Sequence, residues 1–320
     1  MTYSIVARDA ATGDLGIAVQ SKFLSVGSVV PWARAGVGAV ATQAYANVAY
    51  GPDGLGLLEG GASAQETLDR LVAADALRDQ RQAGVVDAHG RAATHTGRHC
   101  FAWAGGRSGP GFAAQGNILA GPGVVDGLAD TFVAGGRPFP ELLVACLAAA
   151  DAQGGDRRGR ESAALYVARE GGGYGGGNDR WIDLRVDDHT DPIGELGRLL
   201  GLQQLYLDRP AIDDLVRLDE TVGAELRSLL GGVGAGPGSG FADVYQPLSA
   251  LSDADEVAER EARPMTGTAA PLPSTWDTTW QAALEDWMAV ENLEERTAAP
   301  GWIDRRVLDF LREKAGAASR

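Results

Sequence analysis

The sequence predicts an α+β fold: antiparallel sheets packed on each other with helices outside, followed by a small helical domain. Three observations predict it. Strand candidates follow one another directly, as at 3–9 with 14–20 and at 82–87 with 91–96, and tight turns join only antiparallel neighbours. Several of these strands are apolar on both faces, so both faces must be covered. The helical segments come in a group between groups of strands rather than one after each strand, which argues against a doubly wound parallel sheet.

The elements follow in order. YSIVARD (3–9) and DLGIAVQ (14–20) flank the turn Ala10–Gly13 and read as a hairpin. Val37–Gln43 is a third strand. Ser63 and Glu66 have capping-box spacing, and Leu68, Leu71 and Val72 continue as an apolar helical stripe. Gln82–Asp87 and Arg91–Thr96 are strands turning at His89-Gly90, and Phe112–Leu119 is another. Two helices are expected over 122–134 and 139–152, each stopped by a Gly pair. Ser162–Arg169 and Trp181–Val186 are strands around Gly171–Gly177, a hairpin loop without the Lys-Ser/Thr ending of a phosphate loop.

The chain has 320 residues and a net charge of −15, of which residues 1–190 carry −4 and residues 191–320 carry −11. Such acidity disfavours nucleic acid and anionic membrane as partners. Two cysteines, Cys100 and Cys146, are too few for a disulfide framework. No apolar run reaches the ~20 residues of a membrane span. Arg8 and Asp9 interrupt the stretch that a signal peptide keeps apolar, so a cytoplasmic protein is expected. Gly231–Gly240 and Ala262–Ser274 read as linkers. The expected organisation is a first domain over 1–190, a helical connector with a Gly-rich linker over 191–240, and a small all-α domain over 241–320.

The N-terminus carries the most specific chemistry. Thr2 stands immediately ahead of the first strand. Removal of Met1 leaves it with a hydroxyl and an α-amine whose pKa of about 7.7–8.0 makes it a usable base at neutral pH. Period-two geometry puts Thr2, Ser4 and Val6 on one strand face, so Ser4 is expected to neighbour the nucleophile. On position alone, Thr2 reads better as the frayed, β-favouring start of a strand.

Longer motifs sharpen this. Residues 2–47, GVVDAHGRAATHTGRHC (84–100), AAQGNILAG (113–121), GGDRRGRESAAL (154–165) and DLRVDDHTDP (183–192) resemble the DUF1028 family. That family is placed in the Ntn-hydrolase (N-terminal nucleophile) superfamily with proteasome subunits. The resemblance implies a four-layer αββα sandwich of antiparallel sheets, Thr2 as nucleophile, and hydrolysis of a C–N amide bond in a small-molecule or peptide-like substrate. It implies no metal and no cofactor, and a homo-oligomer. Gln20-Ser21-Lys22 ends the second strand where proteasome subunits carry an acid, a Ser and a base. Gln20 replaces the acid. Arg34 stands nearest the position of their catalytic Lys, in a chain whose only lysines are Lys22 and Lys314; Arg34 holds its proton and can only stabilise charge. Asn117, Asp156 and Ser162 fall near the supporting positions. Residues 276–314 resemble an appended domain described as peptidoglycan-binding, which implies a cell-wall fragment as a partner.

Gln43, Asn47, Gln115 and Asn117 are amides at or near strand ends. They are candidates to anchor substrate or an oxyanion, although such amides commonly cap backbone groups. His89, His95, His99 and Cys100 cluster in sequence but match no zinc spacing. The acidic run DLRVDDH (183–189) reads as a solvated strand edge, and Asp191 before Pro192 as the cap of the next helix. Trp276, Trp280, Trp287 and Trp302 fit a small domain's core better than a sugar-stacking surface. The alternative to an enzyme is a non-catalytic scaffold of this fold whose tail recognises a glycan or a protein.

Overall fold

A computed structural model describes residues 2–239 and 265–318. They divide into two compact units, one ending at Leu200 and one beginning at Gly201. The first unit is α+β with two antiparallel sheets, as expected.

A six-stranded sheet is built around the predicted hairpin of β1 (Thr2–Arg8) and β2 (Leu15–Ser21). It is completed by β7 (Gly105–Gly109), β8 (Phe112–Asn117), β9 (Ser162–Ala168) and β10 (Arg180–Val186), in the order β10-β9-β2-β1-β8-β7. The second sheet is β3 (Pro31–Arg34), β4 (Gly38–Ala44), β5 (Arg81–Asp87) and β6 (Ala92–Thr96), in that order. Strands β1 and β2 alternate as their sequences require. Val6, Ile17 and Val19 point inward to a core shared with Ala39, Ala41 and Val86 of the second sheet. Tyr3, Ile5 and Ala18 point outward into a core with Leu128 of α3 (Gly123–Ala134) and Leu143 and Leu147 of α4 (Phe139–Ala152). Helices α1 (Tyr50–Glu59) and α2 (Ala64–Ala74) cover the other sheet, where Leu55, Leu68 and Leu71 meet Val40 and Val85.

Helix α2 begins at Ser63 with a complete capping box: Glu66 N–H donates to the Ser63 hydroxyl, and the Glu66 carboxylate accepts the Ser63 N–H. Three elements escaped the sequence reading, two of them because their residues are chosen for close approach rather than for propensity. Helix α1 (YGPDGLGLLE) is rich in Gly, and a Cβ on Gly51 would lie 2.2 Å from the Trp32 ring. Strand β7 (GGRSG) passes so near β6 that a Cβ on Gly106 would lie 2.5 Å from Thr94 Oγ1. Strand β3 is four residues long and opens with Pro31, which an edge tolerates.

Helix α5 (Pro192–Leu207) is preceded by Asp191, whose carboxylate accepts the Gly194 N–H, the cap read from the sequence. The second unit contains α6 (Glu220–Gly232), α7 (Thr278–Val290) and α8 (Arg305–Ala318). It is helical, but the expectation of an all-α domain is corrected by a short antiparallel ribbon of β11 (Leu215–Arg217) with β12 (Trp302–Asp304). The ribbon is anchored by the buried pair Arg296–Asp304, and the same guanidinium donates to the carbonyls of Gln204 and Asp208 at 2.8 Å. Trp276 and Trp287 lie in the core with Leu226 and Leu311. Of the expected linkers, Gly240 and residues 262–264 lie outside the described residues, as do residues 241–261. Gly231 and Gly232 are helical, ending α6. Residues 265–274 are tied down rather than loose: Ala299 N–H donates to Thr266 O at 2.8 Å, and Ser274 N–H to Glu220 at 2.9 Å.

Leu143 is fully buried at the junction of β2, α3 and α4. Leu143→Ala is expected to lower the unfolding free energy by about 2–5 kcal/mol, measured by chemical denaturation.

Candidate functional site

The site is built where the strands of the two sheets end together. In the register of the first sheet, Thr2 lies between Ser21 on β2 and Asn117 on β8. Thr2 Oγ1 is 3.1 Å from Ser21 Oγ. In the second sheet, Gln43 on β4 is opposite Gln82 on β5. These five strand ends carry polar side chains inward, where burial makes an unmet donor or acceptor costly.

The result is one hydrogen-bonded network across both sheets. Gln115 Nε2 donates to Ser4 Oγ at 2.7 Å, and Ser4 Oγ donates to Gln43 Oε1 at 2.6 Å. Gln43 Nε2 donates to Gln82 Oε1 at 2.9 Å, and Asn117 Nδ2 donates to the same oxygen at 2.9 Å. Gln82 Nε2 then donates to Gly116 O at 2.7 Å and Thr96 Oγ1 at 2.9 Å. Gln43 also reaches the Thr2 carbonyl at 3.3 Å. The network therefore fixes the strand that carries Thr2. A Cβ on Gly84 would fall 2.1 Å from Gln115 Oε1, so the glycine in β5 makes room for this amide.

The expected residues sort themselves by this geometry. Thr2, Ser4, Gln43, Gln115 and Asn117 are brought together. Ser4 shares the Thr2 face as expected, but it is fully buried and its hydroxyl proton is committed to Gln43, so it holds the network rather than offering a second nucleophile. Lys22 follows Ser21; its N–H donates to Asp156 Oδ2 at 3.0 Å and its ammonium lies 3.3 Å from Glu161. Asp156 also accepts the Arg158 N–H at 2.8 Å. Ser162 donates to Phe23 O and accepts the Val26 N–H at 3.1 Å. Asp156 and Ser162 thus each fasten the turn after β2 instead of pairing with one another. Gln20 points to the opposite face from Ser21, toward the helices, where both atoms of its buried amide lack a hydrogen-bond partner.

Two expected residues lie elsewhere. Arg34 pairs with Gly38 at the far end of β4, roughly 16 Å from Gln43 at about 3.3 Å per residue, and is ion-paired with Glu59 at 2.7 Å. Strand alternation cannot bring it to Thr2. Asn47 donates to Asp75 at 3.1 Å and accepts the Ala49 N–H, capping the approach to α1. The sequence reading missed Gln82, the hub of the network. Its signal was an uncharged polar residue near the start of an otherwise apolar strand, in register with Gln43.

Asn117 lines a cleft of about 570 Å³ with Ala44, Tyr45, Phe101, Ile118 and Arg158. Ala44 and Ile118 both adopt positive φ, 69° and 51°. That is an uncommon conformation for residues with a Cβ and a true outlier for a β-branched one, and such strain gathers at functional sites. The Tyr45 wall is held by Arg81, which lies 5.2 Å from the Tyr45 ring centroid, donates to the Tyr45 carbonyl and forms a buried ion pair with Asp75 at 2.8 Å. The Arg81 hydrogen bond holds the Asp75 carboxyl well below the usual carboxylate range, with the Leu77 N–H and Asn47 assisting. Cys100 also borders the cleft, and burial pushes its thiol pKa up, which disfavours the reactive thiolate. His95 bonds the Arg78 carbonyl, and no group of three or more metal-ligating side chains occurs among the described residues. No helix among them is long and apolar enough to cross a membrane.

Gln82→Leu is expected to strand the Gln43 and Asn117 donors and the Gly116 carbonyl, lowering stability by at least about 2 kcal/mol; urea denaturation measures it. Asp75→Ala is expected to cost about 3–5 kcal/mol at neutral pH by leaving the buried Arg81 unpaired. Because the folded carboxyl is depressed below its unfolded value of about 3.9, the wild-type contribution is complete above about pH 5. It is lost as pH falls through and below 4. The gap between the thermal melts of the two proteins is expected to be constant from pH 7 to about pH 5 and to narrow as pH falls from there to 3.

Comparison with known proteins agrees with this architecture. Residues 2–196 match the model described as "Family of unknown function (DUF1028)". Residues 269–311 match the model described as "Putative peptidoglycan binding domain". The crystal structure of protein SPO2555 from Silicibacter pomeroyi, assigned to DUF1028, is similar with a TM-score of 0.58 and 30% identity, over 63% of this chain and 89% of that one. No curated protein matches. The match over residues 2–196 and the shared fold place the chain in the DUF1028 family, with a peptidoglycan-binding-like domain toward its C-terminus.

Proposed function

We propose that the first unit is a four-layer αββα sandwich of the Ntn-hydrolase kind and cleaves a C–N amide bond with Thr2 as nucleophile. The observation that carries the reading is the placement of Thr2. It starts a central strand, its hydroxyl is 3.1 Å from that of Ser21, and its register neighbour Asn117 lines the cleft. After loss of Met1, a residue outside the described ones, the Thr2 amine is the nearest base by construction. Thr2 Oγ1 attacks the carbonyl while its proton passes to that amine, directly or through a water. Collapse expels the substrate amine, which takes the proton. A water then hydrolyses the acyl ester and restores the hydroxyl. Ser21 orients the Thr2 hydroxyl, and Asn117 is suited to donate to the developing oxyanion. The step needs neither metal nor cofactor. A cytoplasmic homo-oligomer belongs to the same reading.

A second reading keeps a non-catalytic scaffold of this fold whose tail binds a glycan or a protein. The match at residues 269–311 favours it, as do Gln20 in place of an acid and the distance of Arg34. Trp280 and Trp302 are the partly exposed rings of that tail, and a cell-wall fragment is its natural ligand.

Intact-mass analysis is expected to show Met1 removed. In a screen of amide libraries, Thr2→Ala is expected to lose at least about 10³-fold in kcat/KM, and Thr2→Ser to retain turnover. Equal turnover by wild type and Thr2→Ala rules the mechanism out.

A further inference from the structure

Most arginines of the first unit are held in ion pairs: Arg91 with Asp87, Arg107 with Asp126 and Asp130, Arg169 with Asp14. Arg8 and Arg137 make no ion pair among the described residues, and both border one pocket of about 300 Å³ at the end of the two sheets away from Thr2. Arg8 ends the strand that Thr2 begins, roughly 20 Å away at about 3.3 Å per residue. The His89 imidazole borders the same pocket. Asp9 is its one carboxylate among the described residues, and that carboxylate accepts the Ala11 N–H at 2.9 Å. In a chain of net charge −15, this is a local concentration of cations.

The rim is made of three strand turns fastened to one another. Gly111 N–H donates to Gly90 O, and Arg8 N–H to Gly111 O, both at 2.8 Å. The half-buried Arg8 side chain lies along bare glycine: a Cβ on Gly90 would be 4.0 Å from its Cδ, and one on Gly13 3.6 Å from its Nη2. A guanidinium packed in this way loses little freedom on meeting an anion. The remaining wall is apolar. Phe139 and Leu142 come from the first turn of α4, a helix end that itself favours negative charge. The Phe132 ring stands 5.3 Å from that of Phe112. Guanidinium groups take a carboxylate through parallel hydrogen bonds. An apolar wall in a volume at the small end of ligand sites suits one ring.

We propose that this pocket binds a small carboxylate carried on a single aromatic ring, with Arg8 and Arg137 holding the anion and Phe132, Phe139 and Leu142 contacting the ring. The site is separate from the cleft at Asn117 and does not depend on Thr2 being a nucleophile.

Calorimetric titration with 3-phenylpropionate tests it, alongside 3-phenylpropionamide, which lacks the charge, and acetate, which lacks the ring. The aromatic acid is expected to bind wild type at least about ten-fold more tightly than either. Arg137 is exposed, so Arg137→Ala is expected to keep the fold, checked by circular dichroism, and to remove the preference for acid over amide. Arg8→Ala is expected to do the same. Arg70→Ala, which deletes an equal charge from the exposed face of α2, and Thr2→Ala are both expected to bind as wild type does. The proposal is overturned by equal affinity for acid and amide, by a preference that survives in Arg137→Ala, by an equal loss in Arg70→Ala or Thr2→Ala, or by no binding of the aromatic acid.

Discussion

Everything at the proposed site depends on a buried amide network shared by two sheets. Burying Gln43, Gln82, Gln115, Asn117 and Ser4 between apolar strands is costly unless their donors and acceptors meet. Most of these groups meet, with Gln82 Oε1 receiving from β4 and β8 at once, while Gln115 Oε1 is left without a partner. A slip of one residue in either sheet would turn these groups away from each other and toward the helices. The apolar cores supply most of the driving force for folding, and the network specifies which registers that force selects.

The position of Thr2 follows from that constraint. Its strand is clamped on both edges by β2 and β8, its carbonyl is near Gln43, and its hydroxyl is near Ser21. The turn that follows Ser21 is fixed by Asp156 and Ser162, which are buried and spend their oxygens on backbone N–H and carbonyl groups. Around this rigid floor the cleft is rimmed by backbone in unfavourable conformations at Ala44 and Ile118. Order concentrated beneath a cleft, with strain at its rim, is how a fold holds reacting groups in place before a ligand arrives.

Much of the architecture was legible in the sequence. Alternation along β1 and β2, the capping box at Ser63 and the Gly stops after α3 and α4 are local signals with local causes, and the structure repeats them. What stayed hidden has a common physical origin. Helix α1 and strand β7 use glycine because another element passes too close for a side chain, and propensity cannot register a neighbour distant in sequence. The same holds for the site. Gln43, Gln115 and Asn117 were visible as polar residues at strand ends, but the role of Gln82 exists only once β4, β5 and β8 are superposed. Arg34 was placed by analogy of sequence position, and the register of β3 on β4 carries it to the opposite end of the sheet.

The burial of tryptophan in the second unit has an optical consequence. Four of the chain's seven Trp belong to that unit, and Trp276 and Trp287 are almost wholly shielded from water. Emission and near-ultraviolet dichroism are therefore weighted toward residues beyond Gly201, whereas the amide network around Thr2 contains no indole. Spectral changes on heating would report chiefly on the smaller unit. Following the strands that carry Thr2 calls for a probe of the backbone itself, such as amide exchange along β1 and β8.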